Sequence, residues 1–492
     1  MSSIWDGPFT TQLPSVEPVP GSLQRSRAIR YLRFDHIATA AEVIGDLAAA
    51  AISLLGTYAA YSYLGLGRGV VYPDSILICT SVGFAALFVI LLDREGVYRK
   101  GSGMLRIRET EKTLRASVLA FLFLFSTSTL SVYPLSRLVL GIAFFVVPLA
   151  VVIEKQAIFS LVRFLHARGQ GVQRVIIYGV GFTGKRVFSA LLRSRKLGLN
   201  PVALVDDDEK MAGRTLRTLG YHHTHSESVI RGPVTKELIL SNRADMVIVA
   251  VPTIGQDKIA ALATLAKELG IMLSFVPSQP SNETAWVNYI DIDGLLLGAV
   301  GGPEERHGYQ AVKRALDLAL SVIALIALSP VLTLLALGVY LDSGGPVLFK
   351  QQRVGVNGKL FDIYKFRTMK VNAPRYDFSP TKSEDPRITR FGRILRKTSL
   401  DELPQILNVL KGEMSLVGPR PEMPFIVATY GPRERQRLSV LPGITGLWQL
   451  SADRSYLIHE NPHYDLYYIR NRGFFMDIAI LLHTAVFALR GI

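Results

Sequence analysis

The sequence predicts a membrane-embedded α-helical bundle, followed by an α/β domain and then an α+β domain. Three observations support this order. Long apolar runs fill the first third of the chain, short apolar strands alternate with helices in the middle, and charged residues crowd around Gly and Pro turns near the end. A chain of 492 residues is too long for one hydrophobic core, so several domains are expected.

Apolar runs within residues 35–155 predict four transmembrane helices. Each has close to the ~20 residues that cross a bilayer. Lys and Arg cluster before the first run, between the second and third, and after the fourth, which puts the N-terminus and everything beyond residue 155 in the cytoplasm. Residues 1–34 are predicted to be a disordered cytoplasmic tail, since most of that segment is rich in Pro and Ser. The runs are roughly Ile37–Leu64, Ser75–Leu92, Thr113–Val132 and Arg137–Ile153.

The net charge of +15 is explained by Lys and Arg in cytoplasmic loops. The sequence contains no recognisable groove-reading or base-stacking module, so no nucleic-acid partner is predicted. The chain has a single cysteine, Cys79, which excludes an internal disulfide and argues against a Cys-based zinc site.

Residues 170–300 are predicted to form a Rossmann-like α/β domain. The apolar strand VIIYGVG runs into a helix through Gly179, Gly181 and Gly184, which form a GxGxxG pattern. One interpretation is a dinucleotide site, with pyrophosphate at the helix N-terminus and Asp206 on a ribose. The other is a domain without cofactor that serves as a packing or dimer module. The second is favoured because no Tyr-x-x-x-Lys pair follows.

A fifth apolar run, Ala315–Leu341, contains Ser329 and Pro330 near its middle. Proline removes a backbone donor and clashes with the preceding turn, so a kink or break is expected. One interpretation is a kinked helix that spans the bilayer. The other is a re-entrant helix over 313–341 that enters and leaves on the cytoplasmic side. Basic residues flank both ends, so no charge asymmetry drives a crossing, and the re-entrant form is favoured.

Residues 345–421 carry GPVLFKQQRVG, FDIYKFRTM, EDPRITRFGRILRKTSLDELPQ and GEMSLVGPRPE. No apolar periodicity explains so many charges around turns, so the segment predicts a pocket for a phosphorylated substrate. Ser399 and Glu402 fit a capping box, and Gly412 ends the predicted helix. Asp401 and Glu402 are then either helix N-terminal acids or, as their basic surroundings favour, two carboxylates with separate roles.

Basic residues near these acids predict a phosphate clamp. Lys365 and Arg367 alternate along a predicted strand and therefore point the same way. Arg396 ends an Arg stripe that begins at Arg387 and fits either anionic lipid headgroups or a phosphate. Arg420 lies among the Gly and Pro residues of VGPRP, where its guanidinium either binds phosphate bidentately or stabilises the turn.

Together these motifs closely resemble the bacterial sugar transferase family, the polyprenyl-phosphate hexose-1-phosphate transferases. The resemblance covers roughly 308–492, and the upstream layout looks like the large glucose phosphotransferase members. It implies that 308–492 is a monotopic catalytic domain with a Pro-broken re-entrant helix. It further implies that Asp401 is a nucleophile that forms a phospho-aspartyl intermediate, and that Glu402 is the Mg²⁺ ligand or its orienting acid. The other matched positions are Arg396 and Arg420 as phosphate ligands, Arg353 with a less certain role, and Asp465, Tyr468 and Asp477 in the terminal pattern.

The implied reaction moves hexose 1-phosphate, with glucose as the expected hexose, from a UDP-sugar to undecaprenyl phosphate and releases UMP. It would initiate exopolysaccharide or capsule repeat-unit synthesis at the bacterial inner membrane, with the catalytic domain facing the cytoplasm. A homodimer through the middle domain is also predicted. Two rival functions stay open: a membrane-anchored NAD-dependent nucleotide-sugar modifying enzyme, and a non-catalytic scaffold for polysaccharide export.

Overall fold

A computed structural model of the chain divides into two compact units, Met1–Gln279 and Pro280–Ile492. Residues 1–20, which belong to the predicted tail, lie outside the residues that the structure describes. The described residues are 21–66, 72–98, 106–131, 134–193, 198–215, 228–251, 253–276, 286–292, 295–301, 307–371, 385–450 and 462–489.

Four long helices open the first unit: α1 (Gly21–Tyr63), α2 (Asp74–Arg94), α3 (Arg106–Leu130) and α4 (Arg137–Ala167). They confirm the predicted apolar helices and fit a membrane bundle, with a shared core that includes Phe88 and Val147. Apolar side chains such as Ile52 and Phe145 point outward instead, as expected for a lipid-facing surface. Because α1 begins at Gly21, its first turns lie within the segment predicted to be a disordered tail.

An ion pair lies inside this bundle. The Lys155 ammonium on α4 is 2.7 Å from Asp46 Oδ2 on α1, and the Tyr98 hydroxyl donates to the same oxygen at 2.7 Å. Asp46 is fully buried and Lys155 nearly so. The pair links α1 to α4. Removing either residue would leave an unpaired buried charge in an apolar bundle, which is strongly destabilising.

The rest of the first unit contains a five-stranded parallel sheet in the order β3-β2-β1-β4-β5. The strands and helices alternate, as the sequence predicted for an α/β domain. Ile176, Val205 and Val247 are almost completely buried, as expected for strands covered on both faces. The elements are β1 (Gln173–Tyr178), α5 (Phe182–Arg193), β2 (Leu199–Asp206), β3 (Ile230–Arg231), α6 (Lys236–Ser241), β4 (Met246–Val249), α7 (Gln256–Leu269) and β5 (Met272–Phe275).

The second unit combines a long apolar helix with two short antiparallel sheets and several small helices. β6 pairs with β7, β8 pairs with β9, and β10 runs parallel to β11. The elements are β6 (Trp286–Ile292), β7 (Leu295–Gly301), α8 (His307–Ser343), β8 (Leu348–Val354), β9 (Leu360–Phe366), α9 (Arg390–Thr398), α10 (Ile406–Lys411), β10 (Ser415–Val417), α11 (Pro424–Val427), α12 (Pro432–Arg435), β11 (Gly443–Thr445), α13 (His463–Asn471) and α14 (Phe474–Leu489).

Helix α8 continues through Pro330, although the sequence predicted a kink or break there. Pro330 has no N–H to donate to the carbonyl four residues earlier, that of Ile326. The neighbouring Ser329 Oγ donates to this carbonyl at 2.8 Å. The serine therefore replaces the missing backbone donor, which explains why helical structure persists across the proline.

Both ends of α8 are fastened to the same unit. Near its start, Arg314 donates to the carbonyls of Val409 and Leu410, at 2.6 and 3.0 Å. Near its end, the carboxylate of Asp342 accepts the amide of Phe391 at 3.0 Å. Most side chains between these two ends are exposed and apolar.

A small apolar cluster fixes the last turns of α8 against the rest of the unit. Val339 of α8, Phe366 of β9 and Leu395 of α9 are buried together. The Asn408 side chain connects the next layer: its Oδ1 accepts the amide of Tyr364 at 3.1 Å, and its Nδ2 donates to the Asp362 carbonyl at 2.7 Å. These contacts hold β9 beside α10 and the turn that precedes it.

Candidate active site

Asp401 and Glu402 lie on a 3₁₀ turn, Leu400–Gln405, between α9 and α10. The predicted capping box is wrong: Ser399 adopts a left-handed conformation with φ 55° and its side chain caps nothing in the described part of the chain. Ser399 thus ends α9 and begins the 3₁₀ turn without a side-chain cap. The predicted helix end at Gly412 is confirmed, with φ 83°.

The Glu402 carboxylate is held by two cations. Lys365 Nζ on β9 donates to Glu402 Oε1 at 2.6 Å, and Arg420 Nη2 lies 3.4 Å from the same oxygen. Burial would raise the pKa of Glu402, but Lys365 and Arg420 outweigh it and hold that pKa at about 2. Glu402 is therefore ionised at any physiological pH.

Asp401 has the opposite electrostatics. Burial raises the pKa of the Asp401 carboxyl above its ordinary value, and the adjacent Glu402 charge adds to the increase. Lys365 and Arg396 act against the shift and favour the carboxylate. A desolvated carboxylate is more nucleophilic than a hydrated one, provided that nearby cations keep it ionised.

Arg420 projects from a turn whose backbone is tightly constrained. The Gly418 amide donates to the Thr445 carbonyl at 2.9 Å, and the Gly443 amide donates to the Pro419 carbonyl at 2.8 Å. A Cβ on Gly418 would lie 2.5 Å from the Leu441 carbonyl oxygen, so only glycine fits at that position. The predicted clamp residue is thus presented from a fixed backbone.

Arg353, a second predicted phosphate ligand, is buried and used inside the fold. Its Nη1 donates to the Pro421 carbonyl at 3.3 Å, and its Nη2 donates to Gln351 Oε1 at 2.7 Å. Burial and the neighbouring Arg420 lower the pKa of Arg353 to about 10. Arg353 thus contacts the backbone beside Arg420 and the side chains of Gln351 and Glu422.

Arg367 contacts the end of α8. Its Nη2 donates to the Ser343 carbonyl at 2.9 Å and also contacts the Gly344 carbonyl. These are helix C-terminal carbonyls, which favour a cation. Its Nε and Nη1 are buried and have no hydrogen-bond partner among the described residues, so phosphate binding by Arg367 stays a prediction.

The Arg stripe divides into two parts. Arg387 precedes α9 and pairs with Asp385 at 2.9 Å. Arg390 and Arg393 are exposed on α9, whereas Arg396, in its last turn, is close enough to lower the pKa of Asp401. Only the end of the stripe therefore contributes to the electrostatics of the acids.

Two buried side chains near Arg420, those of Arg437 and Tyr468, have structural contacts that the sequence did not predict. Arg437 donates through Nε to Asp465 Oδ2 at 2.8 Å and through Nη2 to the Arg420 carbonyl at 3.2 Å. Tyr468 donates to the Val417 carbonyl at 3.1 Å and to Asp477 at 2.8 Å. Matching to the family pattern selected Asp465, Tyr468 and Asp477, but no local signal selects Arg437.

The donor set fits a metal that is held mainly by its substrate. The described residues contain no group of three or more His, Cys, Asp or Glu side chains placed to hold a metal ion. Mg²⁺ often takes only one or two carboxylates and completes its shell with water and substrate phosphates. The adjacent carboxylates of Asp401 and Glu402 meet that requirement.

The Gly-rich loop of the middle domain is explained in part by packing. A Cβ on Gly184 would lie 1.7 Å from the Gly179 carbonyl oxygen, while one on Gly181 would meet no atom within 4 Å among the described residues. Gly179 has φ +94°, in the region that favours glycine. Asp206 Oδ2 already accepts the Val180 amide at 2.6 Å, so this carboxylate holds the loop itself.

Comparison with known proteins adds a family assignment to this geometry. A family model described as bacterial sugar transferase matches residues 308–491, and one described as CoA-binding domain matches 94–277. An undecaprenyl-phosphate glucose phosphotransferase of Komagataeibacter xylinus is 45% identical over 188 residues, 35% of this chain and 35% of that protein. A UDP-glucose:undecaprenyl-phosphate glucose-1-phosphate transferase of Xanthomonas campestris pv. campestris is 34% identical over 340 residues, 65% of this chain and 68% of that protein.

A third relative carries a different sugar in its name. An undecaprenyl-phosphate galactose phosphotransferase of Salmonella typhimurium is 42% identical over 196 residues, which are 36% of this chain and 40% of that protein. The chain thus spans 35% and 40% of the length of the Komagataeibacter and Salmonella relatives, and about two thirds of the Xanthomonas one, 68%.

Proposed function

The chain belongs to the bacterial sugar transferase family, and from that premise we propose that it transfers hexose 1-phosphate from a UDP-hexose to undecaprenyl phosphate and releases UMP. The observation that carries this proposal is the cluster in which Lys365 and Arg420 converge on Glu402 beside the buried Asp401. The transfer breaks the phosphoanhydride bond of the UDP-hexose and forms a new one with the lipid phosphate, and such chemistry depends mainly on positioning and charge neutralisation.

We assign the nucleophile to Asp401. One of its carboxylate oxygens attacks the sugar-bearing phosphorus, the bond to the bridging oxygen breaks, and UMP leaves with that oxygen. The lipid phosphate oxygen then attacks the same phosphorus, the acyl phosphate bond breaks, and Asp401 regains its carboxylate. The two steps leave the enzyme unchanged and need no external oxidant or reductant.

Lys365 and Arg420 are proposed to neutralise the phosphates in both steps. In the free protein both cations contact Glu402. When substrate binds, each must exchange at least part of this contact for a contact with a substrate phosphate. Glu402 is proposed to hold Mg²⁺, with Asp401 beside it. Mg²⁺, when bound, would supply further neutralisation of the diphosphate oxygens. Arg396 adds positive potential at Asp401.

We propose that α8 is re-entrant and that the active site faces the cytoplasm at the inner membrane. Support comes from the two fastened ends of α8: Arg314 contacts α10, and Asp342 contacts α9 of the same unit. A helix that crossed the bilayer completely would separate the two ends.

Glucose is the proposed sugar, and initiation of exopolysaccharide or capsule repeat units is the proposed role. A relative that matches 65% of the chain is named for UDP-glucose, whereas the galactose-named relative matches 36%. We also propose that the middle domain is a Rossmann-like module without catalytic function and a possible dimer contact. The internal use of Asp206 supports this over the NAD-dependent rival.

A direct test uses UDP-glucose labelled in the glucose. Full-length enzyme in detergent, with Mg²⁺ and without lipid, should become labelled and release UMP in about one equivalent, since the second substrate is missing. Addition of undecaprenyl phosphate should then move the label to lipid. Asp401→Asn should abolish labelling, and Asp362→Asn on the same unit serves as the control. Normal turnover by Asp401→Asn would reject the nucleophile, and absence of UMP release with any UDP-hexose would reject the reaction.

A further inference from the structure

The backbone that carries Arg420 is held from several directions. The carbonyl of Arg420 accepts Arg437 Nη2 at 3.2 Å, and the carbonyl of Pro421 accepts Arg353 at 3.3 Å. Three residues before Arg420, the Val417 carbonyl accepts the Tyr468 hydroxyl at 3.1 Å. Three carbonyls within residues 417–421 are thus tied to β8, to the 3₁₀ turn Gln436–Ser439 and to α13.

Of the described side chains that hold this backbone, Arg437 makes the largest number of hydrogen bonds. Its side chain is 3% exposed, and its Nε and Nη2 both lie 2.8 Å from Asp465 Oδ2. Its Nη1 donates to the Tyr430 hydroxyl. All three guanidinium nitrogens are therefore engaged by buried partners. A buried cation with a matched carboxylate costs much more to disturb than a surface pair, so its geometry is tightly set.

This region is not a substrate pocket. The cavity between Arg420, Glu422, Tyr430 and Arg437 measures ≈ 10 Å³. That volume holds about one water molecule. Arg437 therefore cannot reach a sugar or a nucleotide through it, and any effect of Arg437 on the reaction must pass through the residue it holds.

We propose that Arg437, oriented by Asp465, is a positioning residue for Arg420. Asp465 on α13 orients the guanidinium of Arg437, which donates to the Arg420 carbonyl. The backbone of Arg420 is thereby held in one position, from which its side chain reaches Glu402 and, in the proposed reaction, the phosphates. This inference rests on the proposed function for its catalytic consequence, while the structural relay itself does not. The relay makes α13 part of the active site although no residue of α13 in this chain of contacts touches the acids.

The relay is tested first by hydrogen exchange, which is independent of the reaction. Full-length Arg437→Gln and Asp465→Asn should exchange faster than wild type in peptides over 415–422 and 443–445, while peptides over β8 and β9 stay protected. Asp465→Asn keeps a similar shape, so it serves if Arg437→Gln folds poorly. The control is Arg435→Gln, since exposed Arg435 lies in the same segment and, among the described residues, contacts only the Tyr430 carbonyl. Unchanged exchange over 415–422 in both variants overturns the proposal.

A double-mutant cycle tests the catalytic consequence. Arg437→Gln should lower kcat/KM for UMP release by roughly 10²-fold, the effect expected of a small displacement of a catalytic group. Arg437→Lys should recover only a small part, because the single nitrogen of an ammonium cannot reach the partners that three separate guanidinium nitrogens contact. In an Arg420→Ala background, Arg437→Gln should have almost no further effect. Additive losses would overturn the relay. If wild type releases no UMP at all, the proposed function fails, and the exchange result still decides the positioning.

Discussion

Asp401 and Glu402 are adjacent on one 3₁₀ turn, and their surroundings shift the pKa values of the two carboxyl groups in opposite directions. Glu402 faces Lys365 and Arg420 and is a strong acid, whereas Asp401 is desolvated without a direct cation partner in the described structure. Two carboxylates with separated pKa values are typical of an active site that divides its tasks between them.

The first prediction concerns stability. Burial raises the pKa of folded Asp401, so its stabilising contribution is present below the ordinary value of 3.8 and is lost as the pH rises through the folded pKa. At pH 7.5 the ionised carboxylate therefore destabilises the fold, and Asp401→Asn should raise the Tm. For Glu402 the pKa falls from 4.5 to about 2, so its contribution is present above 4.5 and is lost as the pH falls toward 2. Glu402→Gln should cost roughly 3 kcal/mol at pH 7.5 because it leaves two cations unbalanced.

These two Tm shifts can be measured on detergent-solubilised variants by thermal unfolding at pH 7.5. Opposite signs at adjacent positions cannot come from a general loss of packing. A lower Tm for Asp401→Asn, or no loss for Glu402→Gln, would contradict the assigned environments.

The second prediction concerns the pH dependence of the rate. A nucleophilic Asp401 must be ionised, so kcat/KM for UMP release should fall on the acid side with one ionisation whose pKa lies above 3.8. The positive charge of Lys365 lowers the pKa of Asp401 and so counteracts the increase caused by burial. Lys365→Met should therefore move the acid limb to higher pH as well as reduce the rate. A limb that stays in place in Lys365→Met would show that another group titrates.

The third prediction concerns the path of α8. In a Cys79→Ser background, single cysteines can be introduced by Gln310→Cys and by Leu341→Cys, both at exposed positions near opposite ends of the helix. A re-entrant helix brings both to the cytoplasmic face, so a membrane-impermeant maleimide should label both in inverted vesicles and neither in intact spheroplasts. Labelling of one position from each side would establish a crossing helix instead.

The fourth prediction uses two glycines of one loop as a matched pair. A Cβ at Gly184 meets backbone at 1.7 Å, while a Cβ at Gly181 meets open space among the described residues. Gly184→Ala should destabilise the middle domain by roughly 3 kcal/mol, at the upper end for overpacking, whereas Gly181→Ala should leave it unchanged. Limited proteolysis of the 173–275 region measures the difference. Equal protection of the two variants would contradict the packing role of Gly184.

The fifth prediction concerns the buried ion pair of the helical bundle. Lys155→Met removes the partner of Asp46, which is fully buried, and should destabilise the bundle by about 3–5 kcal/mol. Replacing both residues, by Asp46→Leu and Lys155→Met, should recover part of this loss, since the unbalanced Asp46 charge is removed while the buried carboxylate of Glu154 still loses the neighbouring Lys155 charge. Detergent-induced unfolding followed by circular dichroism measures both variants. A double variant that loses more stability than Lys155→Met alone would show that the two residues act independently.

The sequence predicted features that depend on local pattern. The four apolar helices, the alternating strands and helices, and the glycine end at Gly412 follow from periodicity and backbone preference alone. Lys365, Asp401, Glu402 and Arg420 were selected because charges of both signs occur around turns, and the fold brings Lys365 and Arg420 to Glu402.

Other features depend on contacts that no local pattern encodes. Arg437 meets Asp465 across 28 positions of sequence, so neither residue signals the other. The capping box failed because a left-handed Ser399 removes the serine side chain from the helix end. Family resemblance selects Arg353 and strand alternation selects Arg367, but neither pattern shows that their hydrogen bonds in the fold go to the Pro421 carbonyl and to the end of α8.

The packing of Val339 against Phe366 has a mechanical consequence. Phe366 directly follows Lys365 on β9, so the apolar helix and the strand that bears the lysine share one contact. A lipid bilayer that is thicker or thinner than the apolar length of α8 changes the tilt of the helix at little energetic cost. If α8 lies in the bilayer as proposed, a change in its tilt would act on β9 through Val339 and Phe366, one residue from Lys365.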